Sequence, residues 1–409
     1  MSSIEIRAIT PDEAVRYRRA IRAGFLDAET VDDEEWCREQ MQPYDRSLAT
    51  FDGPDIVASL ASFPTELTLP GGATVPVGAV TAVTCRATHR RRGLLTEMIG
   101  RDLAASQERG EVADILIAAE YPIYGRFGYG PAVATTSWEL VTGAATRFTN
   151  PGSGSVQFVD NATFRKEAPA IFDRLRVARP GMIRRDDLDW DVHADLRRYP
   201  EAKPWQGFRL LCVDDAGTPQ GYASYTVDKK WTEMRPQCVI ELSELAAATP
   251  DAEARLWRFI AELDLVALVK AGDRPTDEAL PWLIDNGRLA KQVSSFDHIW
   301  VRPLDVARLL TTRSYATSGR VVIEVVDAQG HAGGRFLLDA SPDGATCVAT
   351  TESVELTMPV KALGAAALGG VDVGALARAR WLDEHVAGAS ERAGTLLAGT
   401  VAPWCNTWF

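Results

Sequence analysis

Hydrophobic and polar positions in the first 141 residues predict a unit of mixed strands and helices. Residues 4–9 alternate as a half-buried strand, and Thr10, Pro11 and Glu13 form the start of a helix that should end near residue 24. The other predicted strands are residues 47–52, 55–69, 74–85, 113–119 and 132–141, the second helix is 93–109, and a glycine- and tyrosine-rich loop spans 121–131. The element order is therefore β-α-β-β-β-α-β-β.

The same order of elements starts again after residue 154. Residues 142–154 are rich in Gly, Ser, Thr and Asn, as is typical of a linker. The predicted elements are a strand at 156–159, a helix at 163–176 with an interruption at Pro169, strands at 208–214, 221–228 and 238–246, a helix at 250–263 and a strand at 266–270. The pattern is β-α-β-β-β-α-β, so we interpret this region as a divergent duplicate of the first unit.

The last third of the chain groups its strands before its helices. Strands are predicted at 320–327, 334–340, 345–350 and 354–358, and helices at 359–368, 372–384 and 390–397. A sheet followed by helices predicts an α+β layer.

Composition narrows the class of partner. A chain of 409 residues with 46% hydrophobic residues is long enough for roughly three domains. The formal net charge of −12 argues against nucleic acid as the main partner and favours cationic small molecules. The N terminus resembles no signal peptide, and no apolar run is long enough to predict a membrane span.

Cysteine and histidine spacing gives no metal motif. The six cysteines are scattered and include no C-x-x-C pair, which favours reduced thiols in the cytoplasm. The five histidines lack metal-ligand spacing, so we expect no structural or catalytic metal.

The most informative motif begins at residue 80. A β-patterned stretch runs through Val83 and Cys85 into the basic turn at residues 90–92, and Gly93 opens an amphipathic helix. A helix start presents unpaired N–H groups and the positive end of the helix dipole, and neighbouring arginines add donors. The alternative is a solvated helix end, but the glycine and the preceding strand favour a pyrophosphate site.

The residues of this motif carry a family resemblance. Arg90-x-x-Gly93 resembles the coenzyme A signature of GNAT acyltransferases, although Leu95 stands where the family often has Gly or Ala. Together with the string at residues 123–131 (IYGRFGYGP) and the aromatic terminus, it resembles the enhanced-intracellular-survival (Eis) family of GNAT N-acetyltransferases over the whole chain.

The resemblance implies a fold and a division of the chain. It implies an α+β protein with tandem GNAT-like mixed-sheet units followed by a sterol-carrier-like α+β domain. The implied ranges are 1–150 for an N-terminal GNAT domain that binds acetyl-CoA, 151–295 for a central GNAT-like domain, and 296–409 for the sterol-carrier-like domain.

The resemblance also implies the residues that hold acetyl-CoA. They are Val83, Thr84, Cys85, Arg91, Arg92, Gly93, Leu94, Leu95, Thr96, Ala119 and Glu120. Charge gives a separate prediction: the equivalent helix of the second unit opens with Asp251 and Glu253, which would repel a pyrophosphate. We therefore expect only the first unit to bind coenzyme A.

Two residues are candidates for proton transfer. Tyr124 is the implied general acid, with Tyr121 and Tyr129 as rivals, and packing is the usual role of a tyrosine in such a loop. The implied general base is the terminal carboxylate of Phe409; it either takes the proton directly or holds the ammonium and passes the proton through water. The preceding residues are too aromatic for a solvated tail, so we expect the tail to be buried.

The acceptor site is less sharply indicated. An acidic run that includes Asp27, Glu29 and Asp32 precedes Trp36. This pattern indicates either a solvated helix face or the rim of a pocket for a cation. We take Asp27 and Trp36, with Trp408 as an aromatic wall, as candidate acceptor-binding residues.

These observations predict an N-acetyltransferase that moves an acetyl group from acetyl-CoA to an amine. The acceptor is a cationic small molecule, such as an aminoglycoside or a polyamine, or a lysine side chain. The resemblance implies a cytoplasmic hexamer of two stacked trimers. The alternatives are a non-catalytic sensor of acyl-CoA or lipid, an enzyme that uses a longer acyl-CoA, and a scaffold that recruits a basic protein.

Overall fold

The first part of the chain forms most of one sheet and the helices beside it. The structure is a computed structural model and describes residues 4–27, 33–41, 43–143 and 146–409. The strands here are β1 (Ile4–Ala8), β2 (Ser47–Asp52), β3 (Asp55–Thr68), β4 (Thr74–Cys85), β5 (Ala113–Ile117) and β6 (Gly130–Pro131), and the helices are α1 (Ala14–Gly24), α2 (Glu34–Gln40), α3 (Leu94–Glu108) and α4 (Tyr121–Tyr124). Short 3-10 turns lie at Pro11–Glu13, Tyr44–Arg46, Ala87–His89 and Gly125–Phe127. The predicted strand at 74–85 is confirmed, and the predicted helix at 93–109 is confirmed to within one residue at each end.

The second part of the chain builds a sheet of the same kind. Its strands are β7 (Ala134–Val141), β8 (Ser155–Val159), β9 (Phe208–Val213), β10 (Pro219–Asp228), β11 (Trp231–Thr232), β12 (Arg235–Pro236), β13 (Cys238–Ala247), β14 (Val266–Arg274) and β15 (Ala290–Asp297). Its helices are α5 (Asn161–Ala178), α6 (Asp187–His193), α7 (Pro250–Ala261) and α8 (Leu280–Leu283), with a 3-10 turn at Gly287–Leu289. Helix α5 continues through Pro169, so the predicted interruption is wrong.

The two sheets exchange one strand. Strand β16 (Ile299–Pro303) follows the second unit in sequence but lies in the first sheet, whose order is β1-β2-β3-β4-β5-β16-β6. Strand β7 lies in the second sheet, whose order is β15-β7-β14-β13-β10-β9-β8. The sequence pattern treated β7 as the last strand of the first unit, and this assignment is wrong. Apolar alternation identifies a strand but does not specify the sheet that it joins.

The described part of the linker is held against the second unit. Residues 144–145 of the predicted linker lie outside the described residues. Phe148 forms a β-bridge with Ile284, and the Thr149 N–H donates to the Leu283 carbonyl at 2.9 Å. This segment is therefore anchored to the second unit.

The third part of the chain has its own sheet and core. Its strands are β17 (Gly319–Val326), β18 (Gly334–Ser341), β19 (Gly344–Ala349), β20 (Leu356–Pro359) and β21 (Asp383–Glu384), in the sheet order β19-β18-β17-β20-β21. Its helices are α9 (Val306–Thr312), α10 (Val360–Ala366), α11 (Val373–Arg378) and α12 (Ala389–Leu397). The helix predicted at 372–384 stops at Arg378, because Arg380 adopts a left-handed backbone (φ 58°) that reverses the chain into β21.

Two features are absent from the described part of the chain. No helix there is both long and apolar enough to cross a membrane. No group of three or more His, Cys, Asp or Glu side chains there could hold a metal ion. The expectation of a metal-free site stays a prediction.

Candidate active site

Strands β4 and β5 run side by side and then separate. Their parallel pairing extends from Val77 with Ala113 to Val80 with Leu116, while β4 continues to Cys85. On its other edge, the end of β4 stays paired with β3 through Thr84 and Cys85. The end of β4 therefore has one edge paired with β3 and one unpaired edge. The unpaired edge faces the gap that opens between β4 and β5 after Val80.

A bulge redirects β4 at the point of separation. Ala82 has a φ of 53°, and the register between β3 and β4 shifts there. The Ser59 hydroxyl donates to the Ala82 carbonyl at 2.7 Å and lies 2.7 Å from the Thr84 hydroxyl. Bulges of this kind bend a strand and free backbone groups from the ladder. Thr84 and Cys85 are thus placed along the gap by backbone geometry.

The start of α3 closes one side of the gap. Gly93 precedes the helix with a φ of 79°, and Arg91 also has a positive φ, of 63°. Intrahelical bonding begins when the Glu97 N–H donates to the Gly93 carbonyl, which leaves the earlier amides without intrahelical partners. This end of the helix is a ready anion site.

A cavity of about 540 Å³ brings these elements together. Its lining includes all the residues that the sequence indicated for acetyl-CoA: Val83, Thr84, Cys85, Arg91, Arg92, Gly93, Leu94, Leu95, Thr96, Ala119 and Glu120. A bent strand edge, a helix start and two arginines fit the pantetheine arm and the pyrophosphate of a coenzyme A. Their role in binding stays a prediction.

Sequence reasoning missed some of the lining. Gly24, Phe25, His89, Ile123 and Arg126 also line this cavity, as does Arg90 of the motif Arg90-x-x-Gly93. Gly24 ends α1 so close to β4 that a Cβ atom there would collide with the Thr84 side chain. The sequence signal for Gly24 was a glycine at the end of a predicted helix, but this signal does not identify the strand that the helix end approaches.

Tyr124 lines the same cavity. Its side chain is 6% exposed, and burial, helped by the charge of Glu120, raises the pKa of its phenol to about 12. The phenol therefore keeps its proton at neutral pH. Tyr129 is fully buried behind it at a ring distance of 6.0 Å, and Tyr121 is 53% exposed and packs on Trp300. Neither rival is among the residues that line the cavity.

The C-terminal segment is buried along the second unit and reaches the first sheet. Trp404, Cys405 and Thr407 are buried, which confirms the expectation for most of the tail. Arg185 donates to the Thr407 hydroxyl at 3.0 Å and to the Asn406 carbonyl at 3.3 Å.

Phe409 itself packs on the first sheet. Its ring meets Phe63 of β3 edge-on at 5.4 Å, and both rings pack against the same core cluster as Ile117. Phe409 is not among the residues that line the 540 Å³ cavity, and its role as the general base stays a prediction.

The candidate acceptor residues are dispersed. Asp27 is exposed and lies 3.3 Å from Arg22, whereas Glu29 and Asp32 lie outside the described residues. Trp36 is buried against Tyr199 of the second unit at 5.2 Å, so packing accounts for its position. Neither Asp27 nor Trp36 is among the residues that line the 540 Å³ cavity. Their part in acceptor binding stays a prediction.

Trp408 lines a second cavity, of about 250 Å³. Its side chain is 55% exposed, and its indole N–H donates to the Asp273 carboxylate at 2.9 Å. The other residues around this cavity are Val192, His193, Asp195, Trp205, Arg209, Ser224, Ser243, Glu244 and Asn406. The lining carries both charges, because Arg209 lies over the Trp205 ring at 4.2 Å and Glu244 pairs with Arg185 at 3.0 Å.

Three segments of the chain match family models. Residues 5–132 and residues 181–309 each match a model described as an acetyltransferase (GNAT) domain. Residues 306–406 match a sterol carrier protein domain.

Similar proteins cover from 81% to 99% of the chain. An uncharacterized N-acetyltransferase of Streptomyces avermitilis is 40% identical over 99% of both chains. The N-acetyltransferase Eis of Mycobacterium tuberculosis is 35% identical over 81% of this chain and 80% of its own. The crystal structure of Eis1 from Mycobacterium abscessus has a TM-score of 0.87 at 28% identity and covers 99% of this chain and 100% of its own.

Proposed function

This chain belongs to the Eis family of GNAT N-acetyltransferases, and we propose that it acetylates an amine of a cationic small molecule, of the aminoglycoside or polyamine kind, or of a lysine side chain. Family membership makes the chain an acetyltransferase enzyme. The acceptor class and the roles of Tyr124 and Phe409 are the proposal. One observation carries it: Tyr124 lines the same cavity as the arginine-flanked start of α3.

Acetyl-CoA, when bound, supplies the activated thioester. The residues that would hold it are the end of β4, which offers a free backbone edge, and the start of α3, where amides and Arg91 and Arg92 face the cavity. Binding by backbone atoms fixes the thioester without requiring particular side chains at Val83 and Cys85.

Tyr124 is proposed as the general acid. Its phenol, with a pKa raised to about 12, holds its proton through the neutral range and donates it to the departing thiolate of coenzyme A as the C–S bond breaks. The second proton, which the nitrogen loses as the amide forms, restores the phenol. Ionisation of the phenol therefore imposes no loss of activity below about pH 10, well under the pKa of the group.

The carboxylate of Phe409 is proposed as the general base. It takes the proton from the acceptor ammonium, directly or through water, so that a neutral amine attacks the thioester. The contacts of the tail with Arg185, His298 and Phe63 support this role, because they hold the last residues against both units.

A cationic acceptor fits the charge of the molecule. The chain carries a formal charge of −12, and three carboxylates, Asp195, Glu244 and Asp273, line the cavity beside Trp408 with one arginine, Arg209, while Glu244 is paired with Arg185. An acidic surface raises the local concentration of cations and speeds their association.

We also propose a cytoplasmic homohexamer, as the family resemblance implies. All six cysteines are free, which suits a reducing compartment. Sedimentation of the purified protein measures the assembly directly.

The first experiment compares Tyr124→Phe with wild type in an acetyl-CoA consumption assay over a panel of amines. Loss of the acid should lower kcat by about 10²- to 10⁴-fold. The dissociation constant of acetyl-CoA should stay within about twofold, because the helix start and the strand edge that bind the cofactor are untouched.

The matched control is Tyr121→Phe, which removes a hydroxyl from an exposed neighbour. Its kcat should stay close to wild type. Full turnover of Tyr124→Phe would remove this residue from the chemistry, as expected of a binding protein that only senses acyl-CoA.

The base is tested by adding one glycine after Phe409. The extension moves the carboxylate by about 3.5 Å along the chain and leaves every side chain in place. We expect kcat to fall by at least about tenfold without loss of thermal stability. Phe409→Leu, which keeps the carboxylate at its position, should be much less affected, and equal losses in both variants would contradict the assignment.

A further inference from the structure

The loop that follows Tyr124 is held by contacts from outside itself. The 3-10 turn Gly125–Phe127 ends at Gly128, which has a φ of 89°. The hydrogen bonds within the loop are long: the Tyr129 N–H reaches the Tyr124 carbonyl at 3.3 Å, and the Gly128 N–H reaches the Gly125 carbonyl at 3.3 Å. Its position therefore depends on its neighbours.

Arg302 of β16 is the main polar neighbour. Its guanidinium is fully buried, and its Nε donates to the Phe127 carbonyl at 2.7 Å. Its two Nη groups donate to the Pro303 carbonyl at 2.7 Å and to both oxygens of Asp327 at 2.9 and 2.8 Å. One rigid fork therefore binds the loop at one end and the third domain at the other.

Asp327 fixes the far end of this link. It follows β17, and its carboxylate also accepts the backbone N–H groups of Gln329, His331 and Ala332 at 3.1, 2.9 and 2.8 Å. Burial alone would raise its pKa, but the charge and hydrogen bonds of Arg302, with these amides, lower it. The pair is therefore a buried ion pair with its hydrogen bonds satisfied, the arrangement in which such a pair fixes geometry.

The loop also has no room to move toward the third domain. A Cβ atom on Gly128 would lie 2.6 Å from Arg302 Nε and 2.7 Å from a methyl group of Val360. A Cβ atom on Gly130 would collide with the Lys361 carbonyl of α10. Bare backbone therefore packs between Arg302 and the start of α10.

We infer that Arg302 and Asp327 are positioning residues for Tyr124, and that they make the third domain part of the acetyl-transfer apparatus. The link runs from Asp327 through Arg302 to the Phe127 carbonyl, and from there through one 3-10 turn to Tyr124. This inference rests on the proposed function, because it assigns to the third domain the placement of the proposed acid.

The test is a double-mutant cycle in the full-length protein with Arg302→Lys and Tyr124→Phe. Lysine keeps a charge but loses the fork, so Arg302→Lys should lower kcat by about 10- to 100-fold, as expected for a misplacement near 1 Å. The KM for acetyl-CoA should be unchanged. In the Tyr124→Phe background the same substitution should cost less than about twofold, because the group it positions is gone.

A merely structural role predicts a different result. It would lower kcat by the same factor in both backgrounds, and that outcome overturns the inference. Arg313→Lys is the matched control, because Arg313 is also buried and donates to the Ala367 and Leu397 carbonyls at 2.8 Å each within the third domain. It should lower thermal stability and leave kcat near wild type.

Amide hydrogen exchange tests the link without any turnover. Exchange at residues 125–130 should become faster in Arg302→Lys and in Asp327→Asn, which serves if the lysine variant fails to fold, while α3 keeps its protection. Unchanged exchange in the loop overturns the inference. If wild type acetylates no amine, the proposed function fails, and the exchange measurement still decides whether the third domain holds this loop.

Discussion

The first and second units share one topology, but they differ at the gap between two parallel strands, where the connecting helix begins. Helix α3 joins β4 to β5 in the first unit, and α7 joins β13 to β14 in the second. In both, the parallel pairing stops before the strands end, at Val80 with Leu116 in the first unit and at Leu242 with Ala271 in the second. The first unit leaves a cavity beyond that point, whereas the second fills the space with a side chain.

Arg274 is the side chain that fills it. It is 3% exposed, and it donates to the Leu245 carbonyl of β13 at 2.6 Å, to Glu253 of α7 at 2.8 Å and to Glu278 at 2.6 Å. The guanidinium thus joins the two separating strands to the first turn of the helix.

The start of α7 is also closed from outside. The Thr249 hydroxyl accepts the Ala252 N–H at 3.2 Å, and the Ser153 hydroxyl donates to Asp251 at 2.9 Å. A Cβ atom on Gly152 would collide with the Asp251 carbonyl. The start of α3, by contrast, opens onto the cavity with arginines at its rim. Topology provides the position of a cofactor site, and local charge and space decide whether it is used.

Removing the side chain that fills the second unit should have the largest effect. Arg274→Met leaves the buried Glu278 and the partly buried Glu253 without their cation, and loss of one partner from a buried ion pair costs about 3–5 kcal/mol of unfolding free energy. Chemical denaturation measures the loss. Arg258→Met, which breaks the exposed pair with Glu262 on the same helix, should cost less than about 1 kcal/mol.

The same variant tests whether the second unit is only a scaffold. Calorimetry should still find one acetyl-CoA site per chain, because Asp251 and Glu253 remain at the start of α7. A second binding event would show that Arg274 alone kept this unit from binding the cofactor. The acidic residues at the start of α7 would then not be what excludes it.

The second effect in size comes from giving α3 the acidic start of α7. Leu95 lines the cavity at the helix position that Asp251 occupies in α7. In Leu95→Asp, a carboxylate about 5 Å from the pyrophosphate at an effective dielectric constant of about 20 adds roughly 3 kcal/mol of repulsion, or about a 10²-fold weaker affinity. Leu95 also packs against the core of the first unit, so the variant should lose some stability, although an acidic residue suits the first turn of a helix.

Leu95→Asn is the control for this prediction. It has nearly the same shape as aspartate without the charge, so the difference between the two dissociation constants isolates the electrostatic part. Equal affinities in the two variants would mean that space, and not charge, distinguishes the two helix starts.

The contrast between the units also shows what the sequence can predict. The strand that ends at Cys85, the turn at Gly93 and the apolar stripe of α3 are local patterns, and the structure forms them as predicted. The acidic start of α7 is equally local and was identified. Such features follow from residues within one or two helical turns of each other.

The features missed are the ones made by distant residues. Strands β7 and β16 each lie in the sheet of the other unit. The alternation of hydrophobic and polar residues in a strand does not identify the strand that it pairs with. Arg302 meets a carbonyl 175 positions away, and Trp36 packs on Tyr199 of the other unit. A buried arginine is especially hard to predict, because its sequence signature is that of any surface cation.

The smallest effect we predict concerns the glycine at the start of α3. Gly93 has a φ of 79°, and a Cβ atom there would meet no other atom within 4 Å. Gly93→Ala therefore tests backbone conformation alone, and the left-handed conformation should cost about 1 kcal/mol in unfolding free energy. Because Arg91 and the first residues of α3 line the cavity, we expect a loss of binding free energy of similar size, which corresponds to an affinity for acetyl-CoA that is lower by about five- to tenfold. Gly152→Ala, at the linker glycine that packs on the start of α7, should destabilise the chain more, because its Cβ atom would collide with Asp251, and it should leave acetyl-CoA affinity unchanged. An equal loss of affinity in both variants would show that the two helix starts are not functionally distinct.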